Sequence, residues 1–69
     1  KLQYLITKMI IKGQEAGEIK KDIDAPKYGR LIYTIIEGAV FMTATMNDES
    51  YLNEMMNHID AVIKADLAA

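Results

Sequence analysis

Apolar residues recur along the first sixteen positions at Leu2, Leu5, Ile6, Met9, Gly13 and Ala16. Steps of three and four are the signature of an amphipathic helix, so the pattern predicts helix over 1–16. Tyr4 and Ile11, seven apart, add a narrower second strip. The periodicity then breaks in the stretch GQEAGEIKKDIDAP. Gly17 supplies a residue that can take positive φ at a helix end. Ile19 and Ile23, set among charges, are expected to pin the connection to the core. Asp24 is placed to cap the next helix with its carboxylate, and Pro26 falls in the first turn, where a missing N–H costs nothing.

The second helix is expected over 25–46. Its apolar residues do not form one stripe: Leu31, Ile32, Ile35, Ile36, Ala39, Val40, Phe41, Met42 and Met46 wrap most of the cylinder, and Glu37 is the only charge between Leu31 and Met46. A helix that is apolar nearly all round is central to a core or lies in a membrane. This run is shorter than the ~20 residues a bilayer requires and carries Glu37 in its middle, so a buried role is the expectation and a membrane one is not. Gly29 stands where a better helix former would strengthen the turn. Asn47 or Asp48 is expected to cap a third helix, whose dry stripe is Leu52, Met55, Met56, Ile59, Val62, Ile63 and Leu67. Asn53, Glu54, Asn57, Asp60 and Lys64 make its wet face. The fold class is therefore all-α: three helices, the last two an antiparallel hairpin.

Length now changes the picture. A 69-residue chain buries only about 60% of its unfolded surface, and small domains make good the shortfall with disulfides, a metal or a partner. The chain has no cysteine and one histidine, which leaves a partner chain. The hairpin's uncovered edges thus point to twofold pairing with a second copy as a four-helix bundle. The expected dimer interface is Gly38, Met42, Met46, Leu52, Met55, Met56, Ile59, Val62 and Ile63. Gly38 would let another helix approach closely; packing against the first helix explains it equally well.

Net charge is −2, spread unevenly. Residues 1–30 hold seven of the eight cations, a distribution that suits either a phosphate backbone or the solvated stripe of the first helix. Aromatic and arginine interleaving is absent, which favours the stripe. Catalytic chemistry finds no foothold: no nucleophile–base–orienter set and no phosphate loop can be assembled, so no enzyme activity, cofactor or metal is expected. Glu54 and His58 lie four apart but lack a third ligand, and Asp22 and Asp24 lack the glycine and glutamate of a calcium loop. Tyr33 and Glu37, also four apart with Arg30 nearby, either line a pocket or mark the wet edge of the second helix. Tyr4 and Ile11 either line a pocket or meet residues that precede this sequence. The start at Lys1, already helical and without a methionine, suggests a fragment. No leader is visible, and the lack of cysteine fits the reducing cytoplasm.

The order of these features resembles the C-terminal part of TetR-type (TetR/AcrR) transcriptional regulators. The resemblance rests on Gly13, Gly17 and Ile19, then Asp22 and Asp24, then the Glu37–Gly38 pair, and covers roughly residues 12–42. It implies an all-helical homodimer whose last two helices pair as a bundle, with preceding helices enclosing a pocket for a small-molecule effector. It also implies a repressor released from its operator by that effector, with DNA read only by a helix-turn-helix domain outside residues 1–69. A stand-alone helical homodimeric module, adaptor or antitoxin-like, and an enzyme's accessory subunit are the competing expectations.

Overall fold

The computed structural model describes residues 1–69. Three helices account for the chain: α1 (Leu2–Glu15), α2 (Ala25–Met46) and α3 (Ser50–Val62), with a π-helical turn, Ile63–Leu67, continuing α3. The all-α expectation holds. None of these helices is long and apolar enough to cross a membrane.

Local chemistry sets the breaks. Gly17 sits at φ 80°, a conformation strained for any L side chain, and the Gly13 carbonyl accepts from both Glu18 N and Ile19 N at the end of α1. Ile19 and Ile23 pack against the core, as their apolar character among charges suggested. The Gln14 amide donates to the Lys20 and Ile23 carbonyls at 3.0 and 3.2 Å and fastens the same connection. Asp24 is the N-cap of α2: its Oδ1 accepts from Lys27 N at 3.2 Å, with Pro26 behind it in the first turn. Asp24→Ala should therefore lose about 1 kcal/mol of stability, read as a lower urea midpoint at unchanged slope.

Between α2 and α3 the expected capping needs correction. Asn47 takes φ 51° and ψ 48° and donates its N–H to the Thr43 carbonyl, so it closes α2 and does not open α3. Glu49 is the N-cap of α3 and makes no side-chain bond there; Asp48, just ahead of it, supplies the acceptor, its Oδ1 accepting from Ser50 N at 2.9 Å. That bond, chiefly from the backbone N–H, holds the Asp48 carboxyl below the usual carboxylate range.

The stripe of α1 also differs from expectation. Ile6 and Ile10 are buried, while Leu2, Leu5 and Met9 are exposed. Ile6, Ile10 and Gly13 share a face, and Leu2, Leu5 and Met9 lie on the neighbouring one. Which of two adjacent apolar faces turns inward is decided by the position of α2. The same contact explains Gly29, which is a close-approach residue and not merely a weak helix former. A Cβ built there would run into the Thr7 hydroxyl and stand 3.2 Å from Thr7 Cα.

Helix α2 packs against both α1 and α3, which do not pack on each other. The molecule measures 39 × 24 × 15 Å, little thicker than a single helix with its side chains at ~10–12 Å. A single layer of helices cannot enclose a core. Only six of 69 residues are buried, which makes the shortage concrete. Exposed area is 5040 Å², against about 4,400 Å² for a globular monomer of this mass.

The chain closes on itself at one end. Ala68 pairs with Ile19 as an isolated antiparallel bridge; Lys20 N donates to the Leu67 carbonyl at 2.8 Å and Ala69 N to the Glu18 carbonyl at 3.1 Å. Leu67, 1% exposed, is driven into the core by this strap. The π turn makes that possible. Its wider ring rotates the chain less per residue, so Leu67 falls into line with Ile59 and Ile63.

Candidate functional site

Two concavities flank α2. The first is an apolar cleft of about 350 Å³ between α1, α2 and the end of α3. Ile6, Met9 and Ile10 come from α1 and Ile19 from the connection; Ile32 and Ile36 come from α2; Ile59, Ile63 and Leu67 close the remaining side. All nine are hydrophobic. Ile6, Ile10 and Ile32 belong to the buried core, so the cleft is an outward continuation of the core that the chain leaves unfilled. Leu67, secured by main-chain bonds to residues 18–20, is fixed independently of anything in the cleft.

The second is a shallower groove of about 280 Å³ between α2 and α3. Ile35, Gly38, Ala39 and Met42 line one side, and Tyr51, Glu54, Met55 and His58 the other, with Thr34 at its edge. Helical geometry separates the two concavities: at 100° per residue Ile36 and Gly38 point about 200° apart. Nothing lies within 4 Å of a Cβ built on Gly38, so this glycine does not meet α1. The two internal glycines of α2 serve different flanks. Gly29 admits α1, and Gly38 keeps the opposite flank low.

The nine residues expected at a dimer interface divide between these places. Gly38, Met42 and Met55 line the groove. Met46 and Met56 are exposed, and Leu52 and Val62 are half-buried. Ile59 and Ile63 turn into the cleft. Phe41, 66% exposed, extends the uncovered apolar surface and was not singled out by position along the chain.

The residues expected at a pocket are scattered. Tyr4 stands in solvent with the Lys8 ammonium 5.3 Å above its ring, a cation–π contact. Ile11 edges a shallow polar depression with Gln14, Glu15 and Lys21. Tyr33 donates its hydroxyl to Glu37 Oε2 at 3.2 Å, and that bond, followed by the carboxylate's charge, raises the phenol above its ordinary pKa. Neither residue lines the cleft or the groove. Glu54 and His58 are exposed on the groove's rim.

One further polar cluster sits beside the strap. Lys27, Tyr28, Arg30 and Asp66 surround a small depression next to Leu31 and Thr34. Partial burial and then the nearby Asp66 carboxylate push the Tyr28 phenol up. The cleft is the feature that sequence reading missed. Its aliphatic residues carry the same signal as core filling, and only the spatial gap between three segments distinguishes them.

Comparison with known proteins adds one finding. The family model described as the tetracyclin repressor-like, C-terminal domain matches residues 1–59. No curated protein and no solved structure matches the chain.

Proposed function

The chain belongs to the family of tetracyclin repressor-like C-terminal domains, and from that premise we propose that residues 1–69 form the dimerising and effector-sensing part of a TetR-type repressor. On this reading α2 and α3 are the antiparallel hairpin that meets its twin in a four-helix bundle. DNA would be read by a helix-turn-helix domain elsewhere in the natural protein, in the cytoplasm, and binding of a small molecule would weaken its hold on the operator. No catalytic step is part of this proposal.

One observation carries the reading: α2 and α3 leave several large apolar side chains uncovered, and Gly38 between the helices has open space beside it. Phe41, Met46 and Met56 are 66, 56 and 61% exposed. Exposed apolar side chains that gather into a patch mark interaction sites. Methionines suit such a seam because their unbranched chains fill irregular gaps. A second copy is the occupant that covers both α2 and α3 with matching chemistry.

Gly38→Arg is the sharpest test of the dimer. Free space at this position lets the protomer accept the side chain, whereas a closely packed twin could not. Sedimentation should show dimer affinity weakened about 30- to 1,000-fold, equivalent to roughly 2–4 kcal/mol at an interface centre. Helix content by circular dichroism should stay unchanged. Ile59 is a poorer choice, because it also packs on the core. Dimers that persist in both Gly38→Arg and Met56→Glu would overturn the assignment.

A further inference from the structure

We propose that the apolar cleft binds an uncharged, largely aliphatic small molecule. The proposal rests on the effector-sensing reading and adds to it the chemical class of the effector and its place.

The lining decides the class. No polar side chain faces the cleft, and all nine contributors are Ile, Leu or Met. A carboxylate or ammonium lodged among them would lose its hydration with no partner in return, a loss far larger than aliphatic contacts restore. A hydrocarbon chain or ring meets the opposite situation. Water in an apolar cleft finds no side-chain partner to hold it, so an apolar guest displaces it at little cost and gains close contact with the walls. The polar depressions nearby, with Lys21 and Glu15 in one and Lys27, Arg30 and Asp66 in another, contribute no side chain to the cleft.

Preformation and size fit the same conclusion. Leu67 is fixed at the floor by the bridge of Ala68 to Ile19 and the flanking main-chain bonds, so the floor stands before any guest arrives. At about 350 Å³ the space lies at the lower end of the ~300–1,000 Å³ typical of small-molecule pockets. Met9, 70% exposed, and Ile63, 40% exposed, stand at the mouth. A flexible thioether there adapts to guests of different outline.

The test uses the full natural chain and the neutral dye N-phenyl-1-naphthylamine, followed by fluorescence. Ten-carbon competitors differing only in the head group are then compared: 1-decanol, decanoate and decyltrimethylammonium. Decanol is expected to displace the dye at concentrations at least tenfold below either ion. Met9→Glu, a change at an exposed position that the fold tolerates, should weaken dye uptake at least tenfold. Ile59→Phe, which swings an aromatic ring into the cleft and narrows it, should also weaken dye uptake while retaining helix content. Equal displacement by either ion would overturn the proposal. So would unchanged uptake in both folded variants, or no uptake at all, the result if other residues of the natural chain fill the space. The underlying reading fails separately. If decanol binds and both variants lose dye, but DNA affinity never responds, the cleft's chemistry stands and the sensing role falls. If another compound releases DNA and Met9→Glu leaves that release untouched, sensing stands and this site falls.

Discussion

Leu67→Ala is expected to cost about 2–5 kcal/mol, the largest single loss available in this chain. Leu67 is 1% exposed and its side chain closes the core beneath α1 and the connection. Truncation removes the transfer energy of its methyl groups and leaves a hole. That hole cannot collapse, because the surrounding backbone is held by bonds from Lys20 and Ala69 that do not involve the side chain. A domain of this length has only about 3–10 kcal/mol of stability at roughly 0.05–0.15 kcal/mol per residue. The melting temperature should fall by about 8–40 °C. Leu5→Ala provides the comparison: Leu5 is 57% exposed, and its loss should stay within about 0.5 kcal/mol. Matching melting curves for the two variants would show that the strap does not seat Leu67 as described.

The second large effect is at Gly29, where two terms oppose each other. Replacing glycine inside a helix gains up to about 1 kcal/mol of intrinsic propensity with alanine and only a few tenths with β-branched valine. Against that, a Cβ at this position meets the Thr7 hydroxyl, with Thr7 Cα 3.2 Å away. The hydroxyl has little freedom to swing aside, because it donates to the Gln3 carbonyl at 3.0 Å. Behind it is main chain, which yields only if the whole of α1 retreats. Gly29→Val adds two further methyl groups at the same point, so overpacking dominates and about 1–3 kcal/mol should be lost. The signature is a lower urea midpoint together with faster hydrogen exchange in α1. A variant more stable than the parent would mean that α1 does not lie against Gly29.

What could be read from the letters was the chemistry that acts within a few residues. Gly17, Asp24 and Pro26 announce a stop, a cap and a start, and each sits as its own side chain requires. Local signals fail where geometry from elsewhere makes the choice. Leu2–Leu5–Met9 and Ile6–Ile10–Gly13 are both acceptable faces of α1, and only the position of α2 selects the second. Gly29 has no local mark of close approach; the partner that needs it is 22 positions earlier. The pairing of Ala68 with Ile19 joins segments far apart in the chain, and the π turn that serves it has no mark of its own in the letters. The cleft was hidden for a related reason. Tyr33 and Glu37 drew notice because they are polar in a dry helix, yet their bond satisfies them at the surface. The residues that do enclose space are plain isoleucines, indistinguishable from filling until the gap between them is seen. Membership of the family, by contrast, was anticipated by a resemblance carried by Gly13, Gly17, Ile19, Asp22, Asp24 and the Glu37–Gly38 pair, and the family match over residues 1–59 bears it out.

The opposed glycines of α2 bear on how a signal could cross this molecule. The helix runs 22 residues, about 33 Å at 1.5 Å per residue, unbroken and with no proline beyond its first turn. Gly29, where α1 sits, and Gly38, on the opposite flank, thus belong to one continuous helix, so a push on the first flank would have a direct path to the second.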